Sequence, residues 1–78
     1  MSIISFKSTP ENWRKERDGI KPCTIRFTDD WGEARWEKYH EATMVEIEHT
    51  GNPKLTFRRR ISDKTLWRNV VCISWRHP

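Results

Sequence analysis

The sequence predicts a small α+β domain in which five short strands curl into a partly open or closed barrel with one or two short helices against it. Three observations predict it. Four segments alternate apolar and polar residues with the two-residue period of a half-buried strand. Turn-forming residues separate them, most plainly Asp29-Asp30-Trp31-Gly32 and Thr50-Gly51-Asn52-Pro53. At 78 residues the chain has room for one hydrophobic core and no second domain, so residues 1–78 form one unit. Closure into a barrel would remove the exposed edges that an open sheet has to blunt.

The elements follow in order. Residues 3–7, rich in β-branched and aromatic side chains, read as a first strand. A helix starts where Thr9 can cap, Pro10 suits the first helical position and Glu11 favours the positive helix end. It runs to Arg17 across one open end of the barrel and stops at Gly19, which takes the left-handed conformation. Trp13 and Ile20 pack it down, with its remaining side chains in water. Residues 23–28 form a strand with Cys23, Ile25 and Phe27 on an apolar face and Thr24, Arg26 and Thr28 on a polar one. Residues 33–41 read as a short helix. Residues 43–49 form a strand with Val45 and Ile47 inward, and residues 54–61 pair back with Leu55, Phe57 and Ile61 on one face. Residues 62–68 read as a loop, and residues 69–76 as the last strand, with Val71, Ile73 and Trp75 to one side.

Composition narrows the function. The apolar fraction is 35%, but five Trp and three Phe concentrate burial in few residues, enough for a thin core. Fifteen Lys and Arg against eleven Asp and Glu leave a net charge of +4, which favours polyanionic partners. No apolar run approaches the roughly 18 residues of a membrane span, so no membrane is expected. The N-terminus is too short and lightly charged for a signal peptide. Cys23 and Cys72 make no disulfide framework and read as buried, reduced thiols of a soluble cytoplasmic protein. His40, His49 and His77 show no paired metal-ligand spacing with each other or with the cysteines, so no metal or other cofactor is expected.

The most informative stretch is Gly19-Ile20-Lys21-Pro22-Cys23-Thr24-Ile25-Arg26. A helix ends at glycine, a lysine follows in the turn, and a strand opens with Thr24 and Arg26 on one face. An ammonium, a hydroxyl and a guanidinium along one short edge can hold a phosphate or a carbonyl-rich base. The pattern Gly19-x-Lys21-x-x-Thr24-Ile25-Arg26, after an opening strand and helix, resembles the signature of the ASCH family within the PUA-like superfamily. Those are small β-barrel domains associated with RNA and nucleotide substrates, and the likeness extends loosely over most of the chain. The resemblance implies a five-stranded PUA-like barrel that binds RNA or a nucleotide.

Some small bacterial members of that family are amidohydrolases that deacylate N4-acetylcytidine. They use a lysine and a threonine of this motif, with a glutamate from a helical excursion before the last strand. Lys21 and Thr24 match the first two. The glutamate has no counterpart: the only acid between Ile61 and the last strand is Asp63. The resemblance thus implies Lys21, Thr24 and a substituting Asp63 as the catalytic set of a minimal amidohydrolase. A triad needs its acid within hydrogen-bond reach, which a shortened loop makes hard, so the reading leans away from an enzyme.

A second cluster is Arg58-Arg59-Arg60. Strand parity puts Arg58 and Arg60 in water and Arg59 on the apolar face, either at the barrel mouth or in a pocket. With Arg26, Arg68 and Arg76 they make either a solvated strand end or a phosphate-contacting stripe. Trp31 and Trp67, expected in loops, are the better base-stacking candidates, whereas Trp13 and Trp75 sit at core parity. A third reading is an interaction protein of the kind bacteriophages encode against host factors, to which short stand-alone members of the family are similar. That reading predicts a host protein partner and an exposed aromatic patch around Trp31 and Trp36.

Overall fold

In the computed structural model, which describes residues 2–77, seven elements follow one another. They are β1 (Ile3–Ser8), α1 (Pro10–Arg17), β2 (Cys23–Phe27), α2 (Glu33–Glu41), β3 (Met44–His49), β4 (Asn52–Trp67) and β5 (Val70–Trp75). The α+β class, the five strands and both helices agree with expectation. The strands form one mixed sheet in the order β1-β3-β4-β5-β2, with β1 parallel to β3 and the other neighbours antiparallel. The expected barrel does not close: β1 and β2 are the sheet's two edges and share no backbone ladder. No helix among the described residues is long and apolar enough to cross a membrane.

The expected loop at residues 62–68 is instead the second half of one 16-residue strand. Residues 52–60 of β4 pair with β3 and residues 61–67 with β5, and the register slips between Ile61 and Asp63. A bulge of this kind bends a strand and increases its twist. The polar run Ser62-Asp63-Lys64-Thr65 looks loop-like in sequence, but its backbone is satisfied by β5. The turn comes later, at Arg68 and Asn69, where Arg68 takes a left-handed φ of 54° in a two-residue hairpin between Trp67 and Val70.

The core lies against the sheet's inner face. It joins Ile4 and Phe6 of β1, Val45 and Ile47 of β3, Phe57 of β4, and Val71, Ile73 and Trp75 of β5 with Trp13 of α1 and Tyr39 of α2. α1 packs on β1 and β3, and Trp13 donates from Nε1 to the Ile47 carbonyl at 3.1 Å. Thr9 stands at the N-cap but its side chain caps nothing, and Pro10 occupies the first turn. Ile20 does not pack the helix down; it is exposed. Gly19 has the expected left-handed φ, 79°, and a Cβ there would lie 2.5 Å from the His77 ring. The C-terminal stretch is therefore folded over the end of α1.

β2 is inside out relative to a core strand. Thr24 and Thr28 are buried, while Ile25 and Phe27, on the apolar face, are 55% and 69% exposed. Periodicity fixes which residues share a face and not which face turns inward. Here the inner face of β2 meets polar groups of β1 and α1 rather than the main core.

Candidate ligand cleft

The seam between the two sheet edges holds a cleft of about 150 Å³. Its walls are Lys7, Ser8 and Thr9 at the end of β1, Asn12 and Glu16 of α1, and Lys21, Thr24, Ile25 and Arg26 around the start of β2. The structure thus brings Lys21, Thr24 and Arg26 together, as the motif led us to expect. Short chain segments place them. Lys21 follows the helix end, where its amide and that of Ile20 both donate to the Lys15 carbonyl. Thr24 and Arg26 share the inner face of β2 by parity.

Arg26 bridges the seam. Its Nε donates to Thr24 Oγ1 at 2.9 Å, Nη1 to the Lys7 carbonyl at 2.8 Å and Nη2 to Ser8 Oγ at 2.8 Å. The guanidinium carbon sits 4.9 Å from the centre of the Phe6 ring, within cation–π range. Burial pulls this guanidinium below its ordinary value, Glu16 opposes that shift and Arg35 adds to it. Arg35 bonds the Ser5 carbonyl and also lies over Phe6, 4.5 Å from its centre. Two arginines therefore occupy alternate carbonyls of the β1 edge, Ser5 and Lys7, where another strand would otherwise pair. Arg26 is a clasp for the curled sheet, whereas Lys21 makes no side-chain hydrogen bond or ion pair among the described residues.

Glu16 is the residue that sequence reasoning missed. It is 1% exposed, and its Oε1 is buried with no hydrogen-bond partner among the described residues. The signal was present: Glu16 is three positions after Trp13, and residues so spaced share one helix face. Glu16 thus lines the cleft from the helix side and Lys21 from the strand side. The Thr24 hydroxyl accepts from Arg26 and keeps its own proton to donate.

The other sequence candidates lie elsewhere. Asp63 is exposed on β4 opposite Ser74, accepts from Thr65 Oγ1 at 3.3 Å, and lines a separate hollow beside Lys64. Asp63 and Thr24 are on opposite faces of the sheet by register. Arg58 pairs with Glu46 at 2.8 Å. Arg59 turns inward, donates to the carbonyls of Arg58 and Arg17, and so caps the C-terminal end of α1, where a cation is favoured. Its remaining Nε, like Trp75 Nε1, is buried without a partner among the described residues.

Arg60 shares a shallow hollow with Arg76. Arg68 is at the far hairpin tip, roughly 25 Å along β4 from Arg60 at the usual rise per residue. Arg26, Arg58, Arg59, Arg60 and Arg68 therefore form no single stripe. Trp31 is half-buried, stacked on Phe6 at 6.1 Å and edge-on to Trp36 at 5.0 Å, so it belongs to the packing. Trp67 is 67% exposed with Arg68 5.3 Å over its ring. No protein-family model matches the chain. No curated protein matches it either.

Proposed function

We propose that the chain is an ASCH-like, PUA-like domain that binds RNA or a nucleotide, taking one base or base-sized fragment into the seam cleft. The observation that carries this reading is the buried, unpaired Oε1 of Glu16 in the same cleft as Lys21 and Thr24. A carboxylate sealed without a donor costs stability, which is repaid when a ligand supplies an N–H. A phosphate brings no donor and would meet the carboxylate's charge. A base edge presents a donor next to an acceptor, which suits Glu16 on one side and Lys21 with Thr24 on the other. The volume is below that of the usual drug-sized site, so the sugar and phosphate stay at the rim near Lys7. The net charge of +4 adds long-range attraction for a polyanion.

The test is calorimetric titration of nucleoside monophosphates and short single-stranded RNA. Lys21→Ala should weaken binding about tenfold, which is the loss of roughly 1.4 kcal/mol, and should flatten its salt dependence. Affinity unchanged in Lys21→Ala would overturn the reading.

A second reading, the amidohydrolase, gains from Glu16, which supplies a carboxylate that Asp63 does not bring to the cleft. It predicts turnover of an N4-acylated cytidine that disappears in Lys21→Ala, Thr24→Ala and Glu16→Gln while folding is kept. The binding reading predicts no turnover.

A further inference from the structure

Cys23 and Cys72 belong to neither the core cluster nor the cleft walls. The β2–β5 register sets Cys23 opposite Ser74 and Cys72 opposite Ile25, so the thiols are diagonal neighbours on the outward face of two adjacent strands. Both are free and half-buried. Cys72 Sγ lies 3.9 Å from Ser74 Oγ, the hydroxyl facing Cys23. Burial, then the charge and hydrogen bond of Cys72, hold the Cys23 thiol above its ordinary range, with Lys21 opposing them. The register alone thus makes the two thiols diagonal neighbours across the strand pair.

We propose that Cys23 and Cys72 are a redox pair that closes into an intramolecular disulfide by exchange with a low-molecular-weight disulfide, and that closure displaces β2. In the first step one protein thiolate attacks oxidised glutathione, forming a mixed disulfide and releasing one glutathione thiolate. The second protein thiolate then attacks the protein sulfur of that mixed disulfide and expels the other glutathione. Two protein thiols lose two electrons and two protons, and one small disulfide becomes two thiols.

Geometry makes this bond a labile one. Diagonal residues on paired strands have Cα atoms about 7–8 Å apart, whereas a disulfide spans about 4.4–6.8 Å. Closure therefore needs a backbone shift of about 1 Å, and a disulfide strained in this way is readily reduced again. β2 is an edge strand, tied to β1 through the Arg26 side chain. It has one backbone neighbour, β5, and its other edge carries no ladder. Thr24 of the cleft follows Cys23 directly, so the shift reaches the cleft wall.

The test treats the whole folded chain with oxidised glutathione at about pH 8, where thiolate begins to accumulate, and measures intact mass and amide exchange. The expected product has lost two hydrogens and carries no glutathione, exceeding any mixed disulfide about tenfold. Cys23→Ser and Cys72→Ser should each stop at a single persistent glutathione adduct. The Arg26 and Thr28 amides, on the β5 side of β2, should exchange about tenfold faster in the oxidised chain. A chain that keeps one or two glutathiones, or that crosslinks only to a second chain, overturns the pair. Unchanged exchange in the closed form overturns the displacement.

Discussion

Glu16 shares the buried face of α1 with Trp13, yet its Oε1 meets no donor among the described residues. Replacing such a group with an apolar one of similar size removes a desolvation cost of about 1–2 kcal/mol. Glu16→Leu should therefore raise the melting temperature by about 5–10 °C in a domain of this length, while abolishing ligand binding. Thermal melts of the variant with and without nucleotide check both halves. A lowered melting temperature would mean that the carboxylate holds the fold and not a ligand. Titration adds a second expectation. Burial raises both the Cys23 and the Tyr39 pKa, and a nearby Asp63 adds to the rise at Tyr39. A group whose folded value is raised contributes stability below its unfolded value and loses it as pH climbs through the folded one. Stability should therefore fall above about pH 9, first from Cys23, and Cys23→Ser should flatten the start of that decline. Chemical denaturation at stepped alkaline pH reads it directly.

At the scale of elements, alternation made β2, β3, β5 and residues 54–61 of β4 legible, β-branched and aromatic content did so for β1, and Pro10 and Gly19 marked the ends of α1. Two things were not legible, for definable reasons. The inward face of β2 is decided by what lies opposite, here Ser8 and Glu16, and no local pattern encodes that. The continuation of β4 through residues 62–67 depends on pairing with β5, which outweighs the loop-like propensity of Ser62 and Asp63. The motif residues Lys21 and Thr24 were legible as neighbours, whereas Arg26 was legible as a donor and not as a clasp. Two of its three bonds join β2 to the end of β1, and the third, to Thr24, stays within β2. Arg26→Ala should lower stability by about 2 kcal/mol, about 10 °C in melting temperature. Arg26→Lys should recover little of it, because one ammonium lacks the planar fork that reaches all three acceptors. A melting temperature unchanged in Arg26→Ala would show that the seam holds without its clasp.

At the scale of the whole molecule, a bent sheet brings its two edges together without closing, and the polar residues it turns inward collect in the gap. The opposite outcome appears on the outward face, where Ile25 and Phe27 of β2 and Trp67 of β4 are exposed. That apolar surface, rather than Trp31 and Trp36, is where the reading of a host-protein partner would have to act. The two readings place a ligand on opposite sides of β2, and amide chemical shifts separate them. The decisive measurement is a heteronuclear NMR titration of the native chain and of Glu16→Gln with nucleoside monophosphates. Our account predicts shifts confined to Ser8, Asn12, Glu16 and residues 21–26 in the native chain, and their loss in Glu16→Gln. Shifts confined to the Trp67–Arg68 hairpin, or equal in both proteins, would contradict it.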